Sequence, residues 1–197
     1  MYPGMQPQAV VYQTQSSLTS TANAPFLQPG SERFLPQWFQ SVDQDRTGQI
    51  SVKELQRTLN QNGLNYSLKF CASLIRMNDK SNNGVADYQE FCELHRFLVT
   101  AQQMFLHADS DRSGYLSLPQ VHHAITSAGF QLDETSFYAA CQSFDVERSG
   151  KFTLDYFIAF YVFLTNARSI FTAFDSNQSG SITLDFSRFV YATAGTS

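Results

Sequence analysis

The chain has 197 residues, with 13 basic against 17 acidic side chains and a formal net charge of −4. That length holds one large domain or two small ones with ample core. A mild acidic balance without basic clusters argues against a nucleic-acid partner, because neutralising phosphates takes clustered lysine and arginine.

Residues 1–30 carry no charged side chain and hold Pro3, Pro7, Pro25 and Pro29, four of the six prolines. Gln, Ser and Thr fill much of the rest, so this segment has little to bury and is expected to be a flexible tail. It shows neither a basic start nor an apolar block, and no secretory signal is expected. With Tyr at position 2, N-myristoylation is not expected. The folded domain is expected to span 31–197.

Pro36 is tolerable only in a first helical turn. Leu35, Phe39 and Val42 then recur at spacings of four and three, one apolar face of a helix. It leads into Asp43-Gln-Asp45-Arg-Thr47-Gly48-Gln49-Ile50-Ser51-Val-Lys-Glu54. Oxygen donors fall at positions 1, 3, 5, 9 and 12, with glycine at 6: the calcium-loop pattern of an EF-hand. A hard cation takes roughly six to eight oxygens. Asp43, Asp45 and Thr47 each offer one, the Gln49 carbonyl another, Ser51 one directly or through water, and Glu54 two. A surface turn would also use Asp and Gly, but would not require an acid six residues beyond the glycine.

Four more loops follow. The second places Asp79, Ser81, Asn83, the Val85 carbonyl, Asp87 and Glu90 at the ligand positions. The third places Asp109, Asp111, Ser113, the Tyr115 carbonyl, Ser117 and Gln120 there, so an amide replaces the closing acid. The fourth (145–156) and fifth (175–186) end in Tyr156 and Phe186, which cannot chelate, and Lys151 adds a positive charge to the fourth. Calcium is therefore expected at the first loop, then the second, and more weakly at the third, where Mg2+ is discriminated less.

The loops begin at 43, 79, 109, 145 and 175, and Gly63 recurs as Gly129, so a 66-residue unit is repeated. In the longer gaps those glycines divide two helices. The shorter gaps, 91–108 and 157–174, lack Gly and Pro, and each is expected to be one continuous helix. The apolar run Phe157 to Leu164 is too short to span a bilayer. Loop position 8 pairs in short antiparallel ladders, Ile50 with Ala86 and Leu116 with Phe152, which leaves Ile182 without an intrachain partner. Ala86 is small, and looser packing is expected there. The fold class is thus all-α: five helix-loop-helix repeats with short antiparallel β pairs between loops.

Cys71, Cys92 and Cys141 are an odd set without ligand spacing, and they read as reduced core residues. His95, His107, His122 and His123 form no catalytic or metal constellation, and no enzymatic activity is expected.

Five hands, shared helices between the second and third and between the fourth and fifth, and an uncharged Pro-containing tail resemble the penta-EF-hand family. The regular first loop, in the run Phe39–Gln56, is similar to that of the programmed-cell-death-six type of calcium adaptor; calpain regulatory subunits have an irregular one. The resemblance covers essentially the whole chain. It implies a calcium sensor and adaptor that forms a homodimer or heterodimer through its fifth hand and captures Pro-rich segments of target proteins. It also implies a cytoplasmic location with recruitment to membranes on a calcium rise. A calcium buffer and the regulatory subunit of a calcium-dependent protease are the alternative readings.

Overall fold

The apolar periods that lead into the five loops become helices that stop on the first aspartate of each loop. The computed structural model describes residues 30–145 and 147–196, so the expected tail at 1–30 lies, but for Gly30, outside the described residues. A 3₁₀ turn (Ser31–Phe34) leads into α1 (Leu35–Val42), with Pro36 in its first turn. Then come α2 (Val52–Gln61), α3 (Leu68–Asn78), α4 (Tyr88–Ala108), β1 (Leu116–Ser117), α5 (Leu118–Ser127), α6 (Glu134–Phe144), β2 (Lys151–Phe152), α7 (Leu154–Phe174) and α8 (Phe186–Thr196). The two Gly- and Pro-free stretches are indeed the long helices α4 and α7, of 21 residues each.

Asp43, Asp79, Asp109, Asp145 and Asp175 are the C-caps of α1, α3, α4, α6 and α7. In the first four loops position 9 caps the next helix. Ser51 and Asp87 accept from the N–H of Glu54 and Glu90, whose side chains return the bond to the cap N–H, forming capping boxes. One sequence feature thereby starts a helix and places the acid at position 12. Gly63 and Gly129, the glycines related by the repeat, both sit at φ +84° and turn the chain between helices.

The ladders fall where position 8 puts them. Ile50 bridges Ala86 antiparallel, with N···O distances of 2.7 and 2.9 Å, and Leu116 faces Phe152 in the β1–β2 pair. The expected looseness at Ala86 is absent: the residue is buried and its backbone bonds are short, because the bridge depends on the peptide groups and not on side-chain bulk.

The core runs continuously through both pairs of hands. Phe91, Phe105, Phe157 and Phe160 are fully buried, each contributing about 1.5–3 kcal/mol of apolar burial. Stacking of Phe97 on Tyr161 (5.2 Å between centroids) and the Phe105–Phe157 contact join α4 to α7. By length and composition α7 would suffice to cross a membrane; here it packs against α3, α4, α6 and α8.

Candidate metal centres

In the first loop, Asp43 Oδ1 accepts from the Thr47 N–H and Oδ2 from the Gly48 N–H, both at 2.9 Å. Asp45 accepts from the Thr47 N–H at 3.2 Å, and the Thr47 hydroxyl donates to the Gln49 carbonyl at 3.1 Å. Glu54 ties the two ends of the loop together. Its Oε1 accepts from the Gln44 N–H (2.9 Å), and its Oε2 from the N–H (2.9 Å) and hydroxyl (2.7 Å) of Ser51. Carboxylate oxygens of Asp43, Asp45 and Glu54 consequently lie within 4.8 Å of one another. Three carboxylates this close repel one another, and a divalent cation converts that repulsion into attraction. The donor set is all oxygen, which suits calcium or magnesium over softer metals.

Two of these carboxyls, Asp43 and Glu54, are shifted toward the ionised form. Burial pushes the Asp43 carboxyl up, but bonds from the Gly48 and Thr47 N–H groups outweigh it and hold its pKa below the usual value. Glu54 is also lowered: burial opposes, while the Ser51 hydroxyl and the N–H groups of Ser51 and Gln44 prevail.

The second loop repeats the frame. Asp79 accepts from the N–H groups of Asn83 (3.1 Å) and Gly84 (2.9 Å), and the Ser81 hydroxyl donates to it at 3.1 Å. Asn83 accepts from the Val85 N–H, leaving the Val85 carbonyl as the position-7 donor. Glu90 bonds the N–H groups of Lys80 (2.9 Å), Ser81 (3.1 Å) and Asp87 (3.1 Å), so it spans its loop as Glu54 does.

In the third loop Asp109 accepts from Ser113 and Gly114, Asp111 from Ser113, and the Ser113 hydroxyl donates to the Tyr115 carbonyl at 2.9 Å. Gln120 differs from the two glutamates. Its carbonyl oxygen accepts from the N–H and hydroxyl of Ser117, both at 2.8 Å, and its bonds stop there, short of the loop's beginning.

Asp145 and Asp175 organise the fourth and fifth loops identically, through Ser149 and Gly150 and through Ser179 and Gly180. Exposed Tyr156 and Phe186 stand where the closing acid would be. The Lys151 ammonium lies 4.6 Å from the centroid of the Tyr115 ring in the neighbouring loop, so its charge is directed across the ladder.

Three features were missed by sequence reasoning. All five loops place position 4 (Arg46, Asn82, Arg112, Arg148 and Gln178) at positive φ, between 52° and 58°, which only Asn82 hints at. Buried His95 lies edge-on to Trp38 at 5.5 Å, joining α1 to α4. And α8 turns Phe186, Phe189, Val190 and Tyr191 outward, Phe186 being 80% exposed; the spacing of Phe186, Phe189 and Val190 carried that signal.

A family model described as an EF-hand domain pair matches residues 33–96. Sorcin from Mus musculus is 32% identical over 148 residues, covering 73% of this chain and 74% of its own. Peflin from Xenopus laevis is 33% identical over 184 residues, covering 92% of this chain and 65% of its own; the chain spans somewhat under two thirds of the peflins it matches. A solved structure of a homologue of programmed cell death 6 protein from Leishmania major Friedlin superposes with a TM-score of 0.65 and 31% identity, covering 91% of this chain and 99% of that one. With five loops of one frame and relatives along most of its length, the chain is a calcium-binding member of the penta-EF-hand family.

Proposed function

We propose that the chain is a non-catalytic calcium sensor and adaptor whose first loop is the principal switch. The observation that carries this reading is the convergence of Asp43, Asp45 and Glu54 oxygens within 4.8 Å of one another. Asp43, Asp45, Thr47, the Gln49 carbonyl, Ser51 and Glu54 hold the first ion. Asp79, Ser81, Asn83, the Val85 carbonyl, Asp87 and Glu90 hold the second. Asp109, Asp111, Ser113, the Tyr115 carbonyl, Ser117 and Gln120 form a weaker third site that admits Mg2+. Bound calcium supplies a fixed double positive charge that the loop oxygens must surround. Because Glu54 and Glu90 lie in the first turns of α2 and α4, closing on the ion repositions those helices relative to α1 and α3.

The fifth hand serves pairing with a second penta-EF-hand chain, identical or different. Ile182 lies outside any ladder among the described residues, and Phe171, Ile182, Leu184 and Phe189 line an open apolar cavity of about 500 Å³. Apolar surface of this kind marks an interaction site. The adaptor's cargo is Pro-rich segments of target proteins, captured in the cytoplasm and, as calcium rises, at membranes. Calcium titration calorimetry combined with pull-down in calcium and in chelator tests the reading: metal binding without calcium-dependent capture would leave only a buffer.

A further inference from the structure

Between α3 and α7 lies a cleft of two depressions that share Ser73 and Asn166. The first, about 220 Å³, has Phe70, Phe144, Val162 and Phe163 in its walls. The second, about 400 Å³, is walled by Met77 and Ile170 on its apolar side. Between them the Asn166 amide donates to the Ser73 hydroxyl at 3.3 Å, so the two helices are pinned and the depressions stay separate. From Phe70 to Met77, as from Phe163 to Ile170, is seven residues of helix, or about 10 Å at 1.5 Å per residue.

The rim is charged with one sign. Lys69 borders the first depression and Arg76 the second; both are exposed, and no acidic residue lines either depression. The ion pairs among the described residues, Arg96–Glu93 and Arg188–Asp185, leave Lys69 and Arg76 out. On a chain of net charge −4, two unpaired cations over a cleft of mixed apolar and neutral polar lining form a local exception to the overall field.

We propose that this cleft docks an acidic amphipathic helix of a partner protein. Two apolar anchors at i and i+7 match the spacing of the depressions, and carboxylates flanking them meet Lys69 and Arg76. A groove between two helices with anchors at helical spacing is the helix-in-groove mode of recognition. Opposite charge at the rim sets orientation and selectivity more than raw affinity. The inference names a partner class for the adaptor reading and rests on it, at a cleft whose α7 wall, through Phe163 and Ile170, also borders the fifth-hand cavity.

The test uses the full chain and a labelled helical peptide with leucines at i and i+7 and glutamates beside them, read by fluorescence anisotropy. A second peptide carries lysines for the glutamates. The expected result is binding of the acidic peptide at least about tenfold tighter than the basic one, with the preference reversed in the double variant Lys69→Glu/Arg76→Glu. Both substitutions are at exposed positions, and circular dichroism confirms that the variant is folded. The gained affinity for the basic peptide is a readout that mere damage could not give. Absent binding, equal binding of both peptides, or a preference unmoved by the double variant overturns the proposal. So does displacement of the acidic peptide by an uncharged Pro-rich peptide or by residues 1–29 at lower concentration, which would make one of those the occupant. Each measurement is made in calcium and in chelator. Charge-selective binding in both conditions upholds the cleft while contradicting the calcium trigger, so the two readings fail separately.

Discussion

The hydroxyl of Tyr66 donates to the backbone carbonyl of Asp155 at 3.3 Å, bonding the turn between α2 and α3 to the first turn of α7. The turn is itself anchored to α2, where Gln56 donates to the Tyr66 carbonyl at 2.8 Å and Asn60 accepts from the Tyr66 N–H at 2.9 Å. The exit helix of the first hand is therefore joined through one buried side chain to the exit helix of the fourth.

Removing that hydroxyl in Tyr66→Phe is expected to cost about 0.5–1.5 kcal/mol, the net worth of one hydrogen bond, read as a lower midpoint in denaturant. A pH signature accompanies it. Burial, then the nearby Asp155 and Cys71, push the Tyr66 pKa well above its ordinary value of 10.0. An acid favoured neutral in the folded state contributes its full stability below the unfolded pKa and loses it as pH rises toward the folded one. Stability of the native chain should thus fall above about pH 10 more steeply than that of the variant, which has no phenol to ionise. Parallel slopes in alkaline denaturation would remove Tyr66 from this role.

The closing residue of each loop is expected to set the order of calcium affinity. The first loop should bind in the sensor range, roughly 10⁻⁷ to 10⁻⁵ M, with the second next and the third weaker. Glu54→Gln should abolish the tightest transition in calorimetry, and Gln120→Glu should tighten the third site. In the latter variant the new carboxylate can reach the loop's beginning, as Glu54 does at Gln44. Unchanged isotherms in both would show that position 12 is not limiting.

Cys71 and Cys141 should resist alkylation in the folded chain. Burial raises the Cys71 thiol to about 11, and burial with the Asp145 charge raises Cys141 to about 12. Thiolate is the reactive form, so modification by iodoacetamide at pH 8 should reach half-buried Cys92 first. Labelling of all three at equal rates would mean that the helices open readily.

The loop frame, the two long helices and both ladder pairings were legible because each depends on local chemistry. Gly48 and its equivalents, Ser51 with Glu54, and Ile50 opposite Ala86 act within a dozen residues or at a fixed register. The contacts between distant segments were not legible. Nothing near Tyr66 in sequence announces Asp155, and nothing near Trp38 announces His95, because such pairs are chosen by how helices pack. Gln120 lies between these cases: its weaker chemistry was plain, but its failure to reach the start of the loop is a matter of geometry.

Pairing through the fifth hand should appear as a dimer in light scattering at tens of micromolar. Ile182 is half-buried outside any ladder, and Phe186 and Tyr191 are 80% and 77% exposed. An isologous two-fold contact would cover all three. Phe189→Asp, placed in the wall of the apolar cavity, should give a monomer that still binds calcium at the first loop. A chain ending before Phe171 should be monomeric or insoluble. A monomeric native chain would exclude the homodimer and direct attention to a heterologous partner.

Trp38 is placed to report on the switch itself. It is the only tryptophan, lies on α1 five residues before Asp43, and packs part-buried against the core and edge-on to His95 of α4 at 5.5 Å. That contact joins the entry helix of the first hand to the exit helix of the second. If Glu54 and Glu90 swing inward on chelation, α2 and α4 move relative to α1, and the Trp38–His95 geometry must change with them. The expected outcome is a calcium-dependent shift in tryptophan emission, lost in Asp43→Ala, together with binding of an apolar dye as surface opens. Replacing His95 by Phe should keep the shift while altering the starting emission, since the ring contact is retained but the imidazole is not. Tight calcium binding at the first loop with emission, dye binding and peptide capture all flat would make the protein a buffer, and the adaptor reading would fail.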